Sequence, residues 1–216
     1  MSTETNGRQG AERAVGPGHD FAVRFHGRGG QGVVTAAELL SIAAFFEGRF
    51  AQAFPTFGSE RAGAPVAGYC RISDKEIRTR SPVADPDALV VLDATLVHQV
   101  DLFSGLPTDG YLLFNTPRRL IDLGLSDVTS RLHPERCATV PANELALEHL
   151  GRPVPNCILL GALSALCGVV SLDSVHAAIR DRFSGIVAEE NITAAGVAYD
   201  LVRAGLGKEA VGVAPD

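Results

Sequence analysis

The sequence predicts an α/β fold: a layered, mostly parallel (mixed) sheet with flanking helices, a Rossmann-like first βα unit and a helical C-terminal third. Three observations carry that expectation. A short apolar strand, Phe21–His26, runs into the turn Gly27-Arg28-Gly29-Gly30-Gln31-Gly32, and the helical run VVTAAELLSIAAFF leaves directly behind it. The unbroken apolar run Ala88-Leu89-Val90-Val91-Leu92 ends in Asp93, the pattern of a central parallel strand buried on both faces. Beyond Asn143, helical periodicity replaces the strand signals, so strands and helices alternate first and helices close the chain.

In order, Phe21–His26 is the first strand and Gln31–Phe46 the first helix. Its polar residues Thr35, Glu38 and Ser41 fall on one narrow stripe, so most of that helix is expected to be buried. Arg49–Phe54 reads as the second strand, followed by an irregular loop through Ala64. Pro65–Ser73 and Glu76–Ser81 alternate around Asp74-Lys75, which reads as a hairpin. Its outward arginines, Arg71, Arg78 and Arg80, read as a solvated or partner-facing edge. Ala88–Asp93 is the central strand, with a helix expected over Thr95–Phe103 and a strand over Gly110–Asn115. Asp122–Pro134 has no clear period. Cys137–Val140 reads as a last strand and Asn143–Leu150 as a helix. Further helices are expected over Asn156–Val169, over Leu172–Phe183 with Ser171 as cap, and over Glu189–Ala204 with Gly205 as stop.

The chain of 216 residues is long enough for one domain with a substantial core, expected over residues 20–207 between polar tails at 1–19 and 208–216. A hydrophobic share of 46% with 20% charged residues is that of a globular protein. The net charge of −6 argues against a nucleic-acid partner, which draws basic surfaces. Cys70, Cys137, Cys157 and Cys167 contain no C-x-x-C pair, so no ferredoxin-type cluster loop is expected within this chain. The apolar run Cys157–Val170 is too short to span a bilayer, and the first 19 residues lack the apolar core of a secretory signal; a cytoplasmic location is expected.

The chemistry centres on Gly27–Gly32. Glycines allow a tight turn and close backbone approach, while the first free N–H groups of the helix and its positive dipole end face whatever sits there. Phosphate or diphosphate suits such a turn. The same spacing serves a turn that only packs strand against helix, and the residues alone leave that alternative open. A nicotinamide dinucleotide fits poorly: its fingerprint wants an acid about 20 residues on, at the end of the next strand, where Arg49–Phe54 has none. In a parallel sheet, the loop holding Ser59, Glu60 and Arg61 shares the carboxyl edge with the glycines, although Glu60-Arg61 also reads as a surface ion pair. Asp93 faces that edge or caps the next helix. His26, next to the turn, reads as a strand-end hydrogen-bonding residue. There is no G-x-S-x-G, no H-E-x-x-H and no Lys-Ser/Thr after the glycines, so no catalytic constellation is expected.

Three segments, GRGGQGVVTAAELL (27–40), AQAFPTFGSERAGAPV (51–66) and RPVPNCILLGA (152–162), together resemble the gamma subunit of the 2-oxoacid:ferredoxin oxidoreductases, in particular the pyruvate type. RISDKEIRTRS (71–81) and PDALVVLD (86–93) support the likeness, which covers roughly residues 21–200 in one register. The resemblance implies a thiamine-diphosphate centre with Mg2+ at the junction of alpha and beta subunits. It also implies iron–sulfur clusters on a ferredoxin-like delta subunit, and ferredoxin or another electron acceptor. In members that use coenzyme A, the gamma component helps to hold it. Carried onto this chain, Gly27, Arg28, Gly29, Gly30, Gln31 and Gly32 meet the phosphates of coenzyme A, with Ser59, Glu60 and Arg61 beside them. One departure is Ala62, where many members have a second arginine, so this second loop is less positive. A free-standing nucleotide-dependent oxidoreductase and a purely architectural subunit are the alternatives.

Overall fold

The computed structural model describes residues 20–55, 63–79 and 81–205. Both expected tails, the loop residues Ser59, Glu60 and Arg61, and also Ala62 and Arg80 lie outside the described residues. The strands are β1 (Phe21–Arg28), β2 (Phe50–Pro55), β3 (Pro65–Ser73), β4 (Ala88–Val91), β5 (Tyr111–Asn115) and β6 (Cys137–Val140). The helices are α1 (Val33–Phe46), α2 (Ser126–Thr129), α3 (Ala142–Leu150), α4 (Asn156–Cys167), α5 (Leu172–Arg182) and α6 (Gly185–Gly205).

The strands form one sheet in the order β2-β3-β1-β4-β5-β6. β1, β4, β5 and β6 pair in parallel, and β3 lies antiparallel between β1 and β2. Because β2 opposes β3 and β3 opposes β1, β2 points the same way as β1. The expected α/β class with a mostly parallel mixed sheet is what the chain adopts. After β1 the chain crosses through α1 to the β2 edge; after β4 it moves to β5 on the other side. The carboxyl ends of β1 and β4 therefore flank a topological switch point, the place where open α/β sheets bind ligands.

Alternation along β1 sorts two layers. Val23 and Phe25, with Val90 and Leu92, face a core built with α1, α4, α5 and α6. Leu89, Val91, Leu112 and Phe114 face a second core covered by Leu96, Leu102, Leu120 and Leu132 from short turns. Every residue of α4 is buried, as expected of a helix apolar on all sides. Ser171 caps α5 as read from the sequence, its hydroxyl accepting from Ser174 N at 3.2 Å.

Two sequence expectations fail for identifiable reasons. The hairpin partner Glu76–Ser81 forms no strand over its described residues; β3 is already paired on both sides, by β1 and β2, and has no edge left to offer. The helix expected over Thr95–Phe103 shrinks to a 3-10 turn, Ala94–His98. Beyond that turn the chain is held by Arg24 on β1, which is 7% exposed and whose guanidinium donates to the carbonyls of Val83, Ala84, Leu102 and Ser104. The C-terminal helix, by contrast, begins earlier than Glu189, at Gly185.

Candidate functional site at the carboxyl edge

β1 extends to Arg28, so the glycine turn opens as the strand ends. Gly27 has no room for a side chain: a Cβ there would lie 2.6 Å from Val33 Cγ2 and 3.0 Å from Leu92 Cβ. Gly30 and Gly32 carry φ of +98° and +78°, the left-handed region that favours glycine. At Gly30 a Cβ would meet no atom of the described residues within 4 Å, so none of them fills the space over the turn. Gly32 is the N-cap of α1, with no side-chain cap and no acid in the first turn. Among the described residues, the N–H groups of Gly30, Gly32 and Val33 meet no acceptor. Unsatisfied donors at the positive end of a helix macrodipole, in an open turn, make an anion seat.

The polar side chains of the turn face inward. Gln31 Oε1 accepts from the Arg28 N–H at 2.7 Å, and Gln31 Nε2 donates to Asp93 Oδ2 at 2.8 Å. Arg28 Nε stands 3.2 Å from the same carboxylate. The rest of its guanidinium donates to Gly63 O, Thr95 Oγ1 and Gln99 Oε1. Asp93 also caps the 3-10 turn, accepting from Thr95 N at 3.0 Å. Burial alone would raise the Asp93 carboxyl, but hydrogen bonds from Thr95 and Gln31, with the Arg28 charge, outweigh it and hold the group below the usual carboxylate range. The acid at this edge is thus neutralised within the protein and leaves the backbone donors to set the local charge.

Two further contacts fix the second loop's return. Gly29 N donates to Ala64 O at 3.0 Å and Gly63 N donates to Gly29 O at 3.1 Å. The segment entering β3 is therefore joined to the glycine turn. Below the turn, the His26 imidazole is pushed down to about 4 by burial and by the neighbouring Arg24 charge, and its Nε2 has no hydrogen-bond partner. Asn115 at the end of β5 donates to Leu92 O and accepts from Asn143 N, closing the edge beside β4. A cavity of ≈ 730 Å³ lies at the opposite, amino edge, lined by Asp20, Arg71, Lys75, Asp87 and Tyr111, and takes no part in this site.

The chain matches the family described as pyruvate ferredoxin/flavodoxin oxidoreductase over residues 22–201. The chain belongs to that family. It is 46% identical over 181 residues to the pyruvate synthase subunit PorC of Methanothermobacter marburgensis, covering 84% of this chain and 97% of that protein. It is also 46% identical over 180 residues to the pyruvate/ketoisovalerate oxidoreductases common subunit gamma of Pyrococcus abyssi, covering 82% of this chain and 95% of that one. The solved pyruvate oxidoreductase subunit PORC from Thermotoga maritima superposes with a TM-score of 0.71 at 32% identity, over 84% of this chain and 96% of that chain.

In this gamma-type member of the oxidoreductase family, Gly27–Gly32 acts as a single unit at one edge of the sheet. Asp93, which in the sequence reads either as an edge residue or as a cap, serves as both. Thr95, Gln99 and Gly63, which hold the Arg28 guanidinium beside the turn, are residues that the sequence reading misses. The resemblance places Arg28 and Gln31 among the coenzyme A contacts; in the structure their side chains bond to Asp93, Thr95, Gln99, Gly63 and the Arg28 N–H and brace the turn. Among the described residues no helix is long and apolar enough to cross a membrane, and no cluster of three or more His, Cys, Asp or Glu could hold a metal.

Proposed function

We propose that this gamma-type subunit supplies the phosphate-binding seat for coenzyme A, and an assembly surface, within a complex that oxidatively decarboxylates pyruvate or a related 2-oxoacid. In that complex the thiamine diphosphate with its Mg2+ and the iron–sulfur clusters reside on partner alpha, beta and ferredoxin-like delta subunits. The thiamine centre supplies the decarboxylation. Overall, 2-oxoacid and coenzyme A yield acyl-CoA and CO2, and a pair of electrons leaves to ferredoxin or another acceptor. This chain's part is to bind and orient, and we assign it no catalytic residue. A cytoplasmic location goes with that reading.

One observation carries the proposal: among the described residues, the N–H groups of Gly30, Gly32 and Val33 stand free at an uncapped helix start and nothing fills the space above Gly30, at the switch point of the sheet. The phosphates of coenzyme A supply the matching charge. Ser59, Glu60 and Arg61 belong to the proposed seat by their position in the loop that returns to Gly63. A second, architectural reading draws on a specific observation too: Arg28, Gln31 and Asp93 spend their polar atoms on one another, as they would in a turn built only to be rigid. Purifying the untagged complex, identifying its co-eluting subunits and assaying coenzyme A-dependent 2-oxoacid oxidation tests the assignment. Co-elution with thiamine-binding and iron–sulfur subunits and acyl-CoA formation are expected; a chain that purifies alone from its native source contradicts it.

A further inference from the structure

The glycine turn is not the only helix start at this edge. α4 begins against it: a Cβ built on Gly32 would lie 2.5 Å from Asn156 Nδ2, so the Asn156 amide sits directly over the N-cap of α1. α4 has twelve residues and α1 fourteen, and neither has a side-chain cap or an acid in its first turn. Two positive helix ends therefore meet at one point. Asn156 itself is 4% exposed. Its Oδ1 accepts from Cys157 N at 2.9 Å, which fixes the orientation of the amide and turns Nδ2 toward Gly32. Among the described residues no acceptor pairs with Nδ2. The buried side chain therefore keeps one donor of fixed direction unused beside the glycine turn.

We infer that Asn156 is a binding residue for the anion held by the glycine turn, so that the seat is formed by two helix N-termini and takes a diphosphate across them. The inference rests on the coenzyme A reading and deepens it, by naming the diphosphate as the recognised group and α4 as its second wall. One helix start with free N–H groups suffices for a single phosphate. A second start with a neutral donor of fixed orientation places a further hydrogen bond beside it and rejects groups that cannot accept one. The role of Asn156 is geometric: it adds direction without adding charge.

The near-isosteric Asn156→Asp is the decisive change, since its carboxylate still accepts from Cys157 N but offers an oxygen in place of Nδ2. In the assembled complex, coenzyme A is compared with pantetheine, a thiol acceptor without the diphosphate, and the Kd for coenzyme A is measured by calorimetry alongside the kinetics. The expected result is a roughly 10-fold to 100-fold weaker Kd and higher KM for coenzyme A, with pantetheine and 2-oxoacid kinetics unchanged. Asn156→Ser, neutral and smaller, is expected to give a smaller loss in the same direction, and serves if the aspartate variant fails to assemble. Equal losses for coenzyme A and pantetheine, or none for either, overturn the inference. Gly30→Val separates the two levels. If it alone abolishes the preference for coenzyme A over pantetheine, the glycine-turn reading stands and the role of Asn156 falls. If neither variant alters that preference, both fall together.

Discussion

Gln31 Nε2 donates to Asp93 Oδ2 at 2.8 Å and so joins the turn after β1 to the end of β4 across the switch point. The two residues are 62 positions apart, yet each controls the other's surroundings. Gln31 holds the turn through the Arg28 N–H, and Asp93 holds the 3-10 turn that starts at Ala94. The open donors of the glycine turn keep their places because this bridge lies beneath them.

Asp93→Asn is expected to destabilise the chain by about 1–3 kcal/mol, because an amide cannot accept from Gln31, Thr95 and Arg28 together. The sign with pH follows from the carboxyl being held below its usual range. Its contribution is present above the unfolded-state value of about 3.9 and is lost as pH falls through the lower folded value. Thermal melts compared between pH 5 and 2 are expected to show a further loss below about pH 4 in the wild type that is smaller in Asp93→Asn.

His26 gives a second window, of the same sign but at higher pH, on the same edge. Its folded value of about 4 lies below the ordinary 6.5, so the unfolded chain takes up a proton that the folded chain refuses. Stability is therefore unaffected above about pH 6.5, falls between there and about pH 4, and levels off below, by an amount on the order of 3 kcal/mol. Arg24 is the neighbouring charge in this effect. His26→Gln, which does not titrate, is expected to flatten that window in chemical-denaturation curves; an unchanged slope between pH 6.5 and 4 contradicts the assignment.

The four thiols are all buried and free. Burial pushes Cys137, Cys157 and Cys167 up to about 12, and Cys70 upward as well. The purified subunit is expected to react with an aromatic disulfide reagent only on unfolding, when all four thiols titrate, and to carry no iron when isolated. Rapid labelling of the native chain, or stoichiometric iron and sulfide, would count against it.

Much of this architecture is legible in the sequence because single residues decide it. The apolar run of β4 has no exposed face to alternate with, and Ser171 is a cap in the one place where a capping hydroxyl precedes an amphipathic run. The glycine turn is equally plain, since its positive φ angles at Gly30 and Gly32 demand that residue type. What the sequence hides depends on partners distant along the chain. β3 looks like half of a hairpin with the residues after it, and only the sheet shows both its edges taken. The segment after the short turn at Asp93 is held by Arg24, some 80 residues from the Ser104 carbonyl it binds. Asn156 shows the same limit: nothing local reveals that its amide lies over Gly32.

The corner between α1 and β2 exposes three phenylalanines, Phe45 at 70%, Phe46 at 47% and Phe50 at 51%. Contiguous apolar surface of this kind marks interaction sites, and permanent interfaces are the more hydrophobic ones. Phe45→Ser with Phe50→Ser is expected to leave the subunit folded while lowering its recovery in the complex, read by size-exclusion chromatography after co-expression. Full incorporation of the double variant would remove this corner from the assembly surface.

Coenzyme A dependence in the assembled Gly30→Val complex tests the central claim most directly. A Cβ at Gly30 meets no atom of the described residues within 4 Å, so the new side chain enters the space that phosphate would occupy in the proposed seat, and φ of +98° adds backbone strain at the turn. Losing a charge-assisted contact costs about 1.5–3 kcal/mol, hence roughly a 10-fold to 100-fold rise in the KM for coenzyme A. The KM for the 2-oxoacid and the thiamine-dependent exchange of CO2, which need no coenzyme A, are expected to hold. A correctly assembled Gly30→Val complex with an unchanged requirement for coenzyme A would contradict the account and leave the turn a purely architectural element.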